Sequence, residues 1–212
     1  MPPRFHLTVL AKAPVPGLAK TRLIPALGPE GAAALAERLL DHALDQALAA
    51  GFDTVELCVT PDADHPAVQR QAARPGLRLS LQGEGDLGAR MARALDRALA
   101  GGAAGAVLIG TDAPALDAAR LRAAAQALAQ ADAVTVPAHD GGYALIGLRR
   151  PAPALFEGMA WSTAGVLAAT RARAAAAGLR LAELAPLHDI DEPADLVHLP
   201  AGWLPVGLGV GA

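Results

Sequence analysis

Three cationic side chains lie in one short stretch near the start of the chain: Lys12, Lys20 and Arg22. The prolines and Gly17 between them exclude regular secondary structure, so the stretch is a loop. Backbone N–H groups and cations gathered at such a turn are typical of phosphate-binding loops. We therefore predict that Lys12, Gly17, Lys20, Thr21 and Arg22 bind a nucleotide, with Lys20 and Arg22 also catalytic. The alternative is a proline-rich surface turn with solvated lysines.

The end of this loop, GLAKT, resembles a Walker A motif but does not match it. A Walker A loop needs Gly immediately before its Lys, and here Ala19 precedes Lys20. Only Leu18 and Ala19 separate Gly17 from Lys20, which is also too short a spacing. The sequence therefore does not predict a P-loop kinase.

One carboxylate directly follows a strongly apolar run: Asp112 comes after GAVLIG and Thr111. A carboxylate at the end of a buried strand can hold Mg²⁺ or Mn²⁺ against a diphosphate, because hard cations prefer oxygen ligands. The alternative is that Asp112 caps the following helix or forms an Asx turn. We predict that Asp112 is the principal metal ligand and is catalytic, and that Thr111 contributes to nucleotide binding.

A second pair of acids occurs in the segment HDID, where Asp189 and Asp191 lie two residues apart. In an extended segment both side chains point to the same side, and either can complete a metal site. Asp191 also precedes Glu-Pro, a pattern typical of a helix start with Asp191 as the N-cap. We therefore predict Asp189 as the second metal ligand, with Asp191 as the alternative. His188 and His139 are further possible ligands, although each more often hydrogen-bonds within a loop.

The segment DGGY brings Asp140 together with Gly141 and Gly142. Paired glycines allow backbone conformations closed to other residues and let a strand approach a ligand. We predict that Asp140 is catalytic and orients the acceptor, and that both glycines contact the substrate. A tight hairpin turn explains the glycines equally well.

Two helix starts carry further candidates. Asp86 is predicted both to cap the helix that follows it and to contribute to nucleotide binding. Trp161 is expected in the core. Ser162 or Thr163 is expected to cap the next helix, where either can also meet a phosphate.

These residues are separated by alternating apolar strands and amphipathic helices. Such alternation predicts an α/β fold, a single Rossmann-like domain with a mainly parallel central sheet and helices on both faces. In such sheets ligands bind outside the carboxyl ends of the strands, which brings the cationic loop and the acids to one edge. We predict strands at 5–11, 54–60, 77–82, 105–110, 133–137, 143–150 and 179–184. Helices are predicted at 29–50, 86–100, 115–131, 161–177 and 189–199, and a loop followed by a helix at 61–74.

The composition limits the classes of protein to which the chain can belong. The 212 residues are 53% hydrophobic with a formal charge of −3, so no basic field favours nucleic acid as the main partner. Cys58 is alone, which excludes a disulfide framework and favours a core position. No secretory signal or membrane span is visible, and we expect a cytoplasmic protein. The domain is predicted to cover 1–199, followed by a loosely held Gly/Pro-rich tail at 200–212.

Six motifs occur together in an order that resembles a known family: AKAPVPGLAKTRL, GDLGARM, LIGTDAP, DGGYALIGL, WST and DIDEPADL. They are similar to the bacterial transferases associated with selenium or radical-SAM domains, often described as glycosyltransferases. That family belongs to the nucleotide-diphospho-sugar transferases of GT-A fold, and the resemblance covers about Val9 to Leu196.

The resemblance implies roles for several residues. Lys12, Lys20 and Arg22 match the donor-phosphate loop of related nucleotidyltransferases, and Asp112 takes the place of the metal-binding acid of a DXD element. TDAP departs from that element because it has one acid, which leaves the second ligand open.

The implied function is a metal-dependent, glycosyltransferase-like enzyme that uses a nucleoside-diphosphate sugar and an unknown small-molecule acceptor. The alternatives are a nucleotidyltransferase that uses an NTP and releases pyrophosphate, and a non-catalytic nucleotide-binding module. The oligomeric state is not indicated.

Overall fold

Seven strands form one sheet in the computed structural model, which describes residues 4–204. All seven predicted strands are present, with ends that differ from the prediction by at most two residues. They are β1 (Phe5–Lys12), β2 (Thr54–Thr60), β3 (Leu77–Leu81), β4 (Gly105–Ile109), β5 (Ala133–Pro137), β6 (Tyr143–Leu148) and β7 (Leu181–Glu183).

The strand order across the sheet is β3-β2-β1-β4-β6-β5-β7. All neighbours are parallel except β6, which runs antiparallel to both β4 and β5. Because β6 is reversed, its first residue, Tyr143, lies at the edge where β1 and β4 end. The DGG turn between β5 and β6 is thereby brought beside Asp112. The predicted α/β fold with a mainly parallel sheet is confirmed.

Five α-helices connect the strands: α1 (Ile24–Ala49), α2 (Pro66–Ala72), α3 (Leu87–Ala100), α4 (Ala118–Leu128) and α5 (Val166–Ala176). Gly28, at φ +70°, interrupts α1, and the regular part begins at Pro29 as predicted. The predicted cap of α3 is confirmed, since Asp86 Oδ1 accepts a hydrogen bond of 2.8 Å from the Ala89 N–H. Asp117 caps α4 in the same way, so Asp112 does not cap that helix.

Helices cover both faces of the sheet. Alternate residues of β1 and β4, such as Val9 and Ile109, pack with α1 and α4 on one face. Their neighbours, such as Leu108, pack with α3 and α5 on the other. This alternation leaves the polar side chains of the site only at the strand ends, because both faces are filled by apolar residues.

Two predicted helix starts are wrong. The helix predicted from 161 begins at Val166, and neither Ser162 nor Thr163 caps it: Ser162 has φ +60°, and the Thr163 hydroxyl donates to the Ala160 carbonyl. The segment predicted as a helix over 189–199 is a 3₁₀ helix at Pro193–His198.

Asp191 does not cap that 3₁₀ helix. Glu192 is the N-cap, and Asp195 Oδ2 accepts the backbone N–H groups of Asp191 and Glu192 at 3.0 and 2.7 Å. A residue of the 3₁₀ helix itself therefore accepts the backbone N–H groups at the start of the helix. The Asp191 carboxylate is left available for other contacts.

Part of the predicted tail, Gly202 to Leu204, contacts the domain. Trp203 packs with α1, where the Arg38 guanidinium lies 4.8 Å from the indole ring centroid and the His42 ring meets it edge-on. Residues 205–212 of that predicted tail lie outside the described residues. Among residues 4–204, no helix is both long and apolar enough to cross a bilayer.

Candidate active site

The loop after β1 folds on itself before it reaches the sheet edge. The Val15 carbonyl accepts the N–H groups of both Leu18 and Ala19, and the Lys12 ammonium donates to the Leu18 carbonyl at 2.8 Å. Gly17 supplies the left-handed conformation of this turn, with φ +78°. Its role is therefore in the shape of the loop. The turn delivers Lys20 into the interior and Arg22 to the surface.

The ammonium of Lys20 lies between two carboxylates. Its Nζ atom is 2.5 Å from Asp112 Oδ1, 2.9 Å from Asp191 Oδ1 and 2.5 Å from the Ile190 carbonyl oxygen. The side chain is only 8% exposed, and these three acceptors match its three N–H donors. Burial alone lowers the pKa of Lys20, but the charges of Asp112 and Asp191 outweigh this and raise it above its ordinary value. In this arrangement Lys20 joins the two acids and has no donor left for a phosphate.

Arg22 is the cation that faces outward. Its side chain is 57% exposed, and its Nη1 atom lies 3.8 Å from Glu192 Oε1, an ion pair at the limit of contact. Leu23, the next residue, is fully buried and anchors the short 3₁₀ turn that carries Thr21 and Arg22. The Arg22 guanidinium therefore has N–H donors available for the phosphate contact that the sequence predicts.

Asp112 lies at the end of β4, as the apolar run predicted. Its carbonyl accepts the Ile190 N–H at 2.8 Å, so the backbone of β4's loop holds the HDID segment directly. The Thr111 hydroxyl donates to Asp112 Oδ1 at 3.2 Å. Directly before the HDID segment, Leu187 forms an isolated parallel β-bridge with Ala138, the residue that follows β5. The two predicted acid-bearing segments are thus neighbours.

Asp189 is placed among other acids. Burial, then the charges of Asp140 and Asp191, raise the pKa of the Asp189 carboxyl to about 6. Such a shift shows that negative charge at this position is poorly compensated by the protein itself. A bound cation would relieve this repulsion.

Asp140 and the two glycines form the hairpin between β5 and β6. Asp140 Oδ1 accepts the Gly142 N–H at 2.7 Å, an Asx turn. A Cβ atom on Gly141, at φ +91°, would lie 2.2 Å from the Ala164 carbonyl oxygen. Gly141 is therefore required for the close approach of the turn to the segment before α5, while Asp140 and Gly142 line the neighbouring pocket.

Three histidines flank these acids. The His188 ring stacks between those of His139 and His198, with centroid distances of 4.1 and 3.6 Å. Partial desolvation and the two neighbouring imidazoles lower the pKa of His188. The stack ties the residue before Asp140 to the residue before Asp189.

Two pockets adjoin at this edge of the sheet. The loop pocket, of about 270 Å³, is lined by the cationic loop and by the acids that Lys20 joins. The large pocket, of about 570 Å³, has an apolar floor and an acidic rim. Their shared wall consists of Leu10, Arg22, Asp112 and Asp191. The rim of the large pocket carries Asp112, Asp140, Asp189, Asp191 and Glu192.

The structure brings together most of the predicted residues. Lys12, Lys20, Thr21, Arg22 and Thr111 line the loop pocket. Three predicted residues line neither of these pockets. Gly17 and Gly141 instead shape the turns on either side of the site, and Asp86 lines a separate groove with Arg93 and Phe156.

The site also contains residues that were not among the predicted site residues. Tyr143 and Met91 line the large pocket together with Glu192, and Trp161 does so from within the predicted core. Burial raises the pKa of the Tyr143 hydroxyl. The signals available in the sequence were the position of Tyr143 directly after the glycine turn and of Met91 in the motif GDLGARM.

The chemistry of the acids fits a hard divalent cation. Asp112 and Asp191 already bracket one positive group, and their side chains are 44% and 40% exposed. Within residues 4–204, however, no group of three or more His, Cys, Asp or Glu side chains is arranged to hold a metal ion. A divalent cation between Asp112 and Asp191 would therefore need phosphate and water oxygens as its other ligands.

Comparison with known proteins places this arrangement in a family. The profile of the family described as "Uncharacterized protein conserved in bacteria (DUF2064)" matches residues 39–163. The phosphoenolpyruvate guanylyltransferase of Sphaerobacter thermophilus is 35% identical over 210 residues, 95% of this chain and 96% of that protein.

Solved structures agree with this placement. A Desulfovibrio desulfuricans protein, provisionally assigned as a nucleotide-diphospho-sugar transferase, is 32% identical and superposes with a TM-score of 0.83, covering 91% of this chain and 84% of that one. A Mycobacterium tuberculosis protein in complex with manganese shares the fold at 22% identity and a TM-score of 0.56, covering 92% of this chain and 97% of that one. Of the two predicted reactions, nucleotidyl transfer agrees better with the name of the Sphaerobacter thermophilus relative. The chain therefore belongs to the bacterial DUF2064 family and is a transferase of the nucleotidyltransferase class.

Proposed function

We propose that this enzyme transfers the nucleotidyl group of a nucleoside triphosphate to a small anionic acceptor and releases pyrophosphate. The observation that carries the proposal is the pair of adjoining pockets, one cationic and one acid-rimmed, that share Arg22, Asp112 and Asp191. A triphosphate in the loop pocket would present its α-phosphate at this shared wall, next to an acceptor in the large pocket.

The first substrate pair to test is GTP with phosphoenolpyruvate. This pair is taken from the name of the Sphaerobacter thermophilus relative, which matches this chain over nearly its whole length. An acceptor that is itself anionic would need positive charge at an acid-rimmed pocket. Arg22 is the cationic side chain that lines both pockets.

The reaction is a substitution at phosphorus. An oxygen of the acceptor forms a bond to the α-phosphorus, the bond from that phosphorus to the β-bridging oxygen breaks, and pyrophosphate leaves with the electron pair. Such chemistry depends mostly on positioning and charge stabilisation. Arg22 would bind the phosphate oxygens, since its guanidinium has open donors. Asp140, which also lines the large pocket, would orient the acceptor.

We further propose that Mg²⁺ or Mn²⁺ is the cofactor. Asp112 would hold it together with Asp191 or Asp189. The sequence favours Asp189 only because Asp191 has the pattern of a helix cap, and Glu192 occupies that capping position instead. When bound, the ion would neutralise charge on the leaving pyrophosphate.

The second candidate is transfer from a nucleoside-diphosphate sugar. It is supported by the provisional assignment of the Desulfovibrio desulfuricans structure. The same pockets could hold a sugar nucleotide, and the leaving group would then be a nucleoside diphosphate. The association with selenium or radical-SAM domains stays a prediction of the motifs.

The test is the identity of the leaving group. Purified enzyme with Mn²⁺ is incubated with each of the four NTPs, with and without phosphoenolpyruvate, and pyrophosphate and the coupled product are followed by enzymatic assay and mass spectrometry. We expect pyrophosphate release that requires both an NTP and the acceptor, and that Asp112→Asn abolishes without loss of fold. Release of a nucleoside diphosphate from a sugar nucleotide, with no pyrophosphate from any NTP, would contradict the proposal in favour of glycosyl transfer.

A further inference from the structure

We propose that the Lys20 ammonium and the divalent cation are alternative partners of the same two carboxylates, so that metal binding displaces Lys20 towards the donor phosphates. This inference rests on the proposed function, because it assumes a metal at Asp112 and Asp191. It changes the predicted role of Lys20 from a fixed phosphate ligand to an exchangeable cation.

The first support is the complete saturation of the ammonium. Its three contacts to Asp112, Asp191 and the Ile190 carbonyl, at 2.5–2.9 Å, leave no N–H for a phosphate. A phosphate role for Lys20 therefore requires that these contacts break first. A cation that takes over the two carboxylates would provide the reason for them to break.

The second support is the accessibility of the carboxylates compared with that of the lysine. Asp112 and Asp191 are 44% and 40% exposed towards the pockets, whereas Lys20 is 8% exposed. An ion arriving from solvent can therefore reach the carboxylates from the open side while Lys20 holds them from the buried side.

The third support is the charge balance of the large pocket. Five acids line it, and Arg22 is its one cationic lining residue among residues 4–204. A single ammonium behind Asp112 and Asp191 supplies one positive charge, and a divalent ion in the same place supplies two. Carboxylates are also the preferred ligands of Mg²⁺ and Mn²⁺, whereas an ammonium gains most of its stabilisation from charge and hydrogen bonds.

The displaced side chain has a place to go. Lys20 lines the loop pocket together with Lys12, Thr21 and Arg22, which are the residues assigned to the phosphates. Its flexible four-carbon stem lets the ammonium turn from the carboxylates to that pocket by rotation of side-chain torsions. Metal and triphosphate binding would then be linked, since each favours the arrangement that the other requires.

The exchange makes an unusual prediction: removal of a lysine should strengthen metal binding. Lys20→Met keeps the length of an unbranched side chain and removes the competing charge. With nucleotide absent, we expect Mn²⁺ to bind this variant about 10-fold more tightly than the wild type in titration calorimetry. This corresponds to a gain of about 1.4 kcal/mol in the free energy of Mn²⁺ binding once the competing ammonium is removed. With Mn²⁺ present, GTP should bind the variant more weakly.

The matched control is Lys12→Met, at the end of β1, where the ammonium donates to the Leu18 carbonyl and not to the two acids. With nucleotide absent, its Mn²⁺ affinity should equal that of the wild type. If wild type binds Mn²⁺ and Lys20→Met binds it equally or more weakly, the exchange is wrong and the metal site stands. If neither wild type nor variant binds Mn²⁺, with or without GTP, the metal part of the proposed function is wrong and the inference fails with it.

A measurement on the wild type covers the case in which Lys20→Met does not fold. The side-chain ammonium resonances of ¹⁵N-lysine-labelled protein are recorded during a Mg²⁺ titration. The three hydrogen bonds of Lys20 should protect its ammonium from exchange with solvent, and we expect this protected signal to disappear as Mg²⁺ binds. A Lys20 signal that stays protected at saturating Mg²⁺ would overturn the exchange.

Discussion

The buried carboxylate of Glu56 offers a quantitative test of the structure. Glu56 is 3% exposed in the middle of β2. Its Oε2 atom lies 2.9 Å from His6 Nε2 on β1, and its Oε1 atom lies 2.6 Å from Arg97 Nη2 on α3. Burial by itself raises the pKa of Glu56, but the hydrogen bonds with His6 and Ser80 and the charge of Arg97 outweigh this and lower it from 4.5 to about 2.

The magnitude follows from that difference. A carboxyl whose pKa falls from 4.5 in the unfolded chain to about 2 in the folded one stabilises the fold by about 3 kcal/mol at neutral pH. Because the folded pKa of Glu56 is depressed, this stability is present above pH 4.5 and is lost as the pH falls towards 2. Roughly half of it should remain at pH 3.

Glu56→Gln keeps the shape of the side chain and removes the charge. We expect it to lower the free energy of unfolding by about 3 kcal/mol at pH 7, because Arg97 is then left beside a neutral group. The assay is urea denaturation followed by circular dichroism at pH 7 and pH 3. The difference between wild type and variant should shrink by about half at the lower pH.

The matched control is Glu183→Gln. Glu183 also pairs with an arginine, Arg171 at 2.7 Å, but at the surface, so its loss should cost less than about 1 kcal/mol. A cost for Glu56→Gln as small as that of the control, or one that is the same at pH 7 and pH 3, would refute the reasoning from burial and pairing.

Three further predictions concern the site. Arg22→Ala should weaken NTP binding by about 1.5–3 kcal/mol, the usual scale of a charged hydrogen bond. Titration calorimetry that shows unchanged affinity would remove Arg22 from the phosphate site. Asp140→Asn keeps the oxygen that accepts the Gly142 N–H, so steady-state kinetics should show a lower kcat with donor affinity retained; equal losses in both would contradict an acceptor role. Gly141→Ala places a methyl group 2.2 Å from the Ala164 carbonyl oxygen at φ +91°, so it should cost about 2 kcal/mol or more, and an unchanged Tm would show that the turn can move.

Local patterns in the sequence predict much of the fold. The seven strands and the caps and ends of α3 follow from short-range rules, because apolar periodicity and capping depend on residues a few positions apart. Asp112 at the end of β4 follows in the same way, since an acid directly after a buried strand has to emerge at the sheet edge. Predicting these features does not require knowledge of their tertiary contacts.

The partners of each charge depended on the tertiary structure. Asp191 has the local pattern of a helix cap, yet Glu192 and Asp195 satisfy that backbone, and Asp191 instead meets Lys20, 171 residues away in the chain. Hydrophobic periodicity cannot predict such a contact, because the contact depends on how the loop after β1 and the loop after β7 meet at the edge of the sheet. The sequence by itself determined that cations and acids gather at this edge, and the tertiary structure decided that the acids hold Lys20 while Arg22 stays exposed beside them.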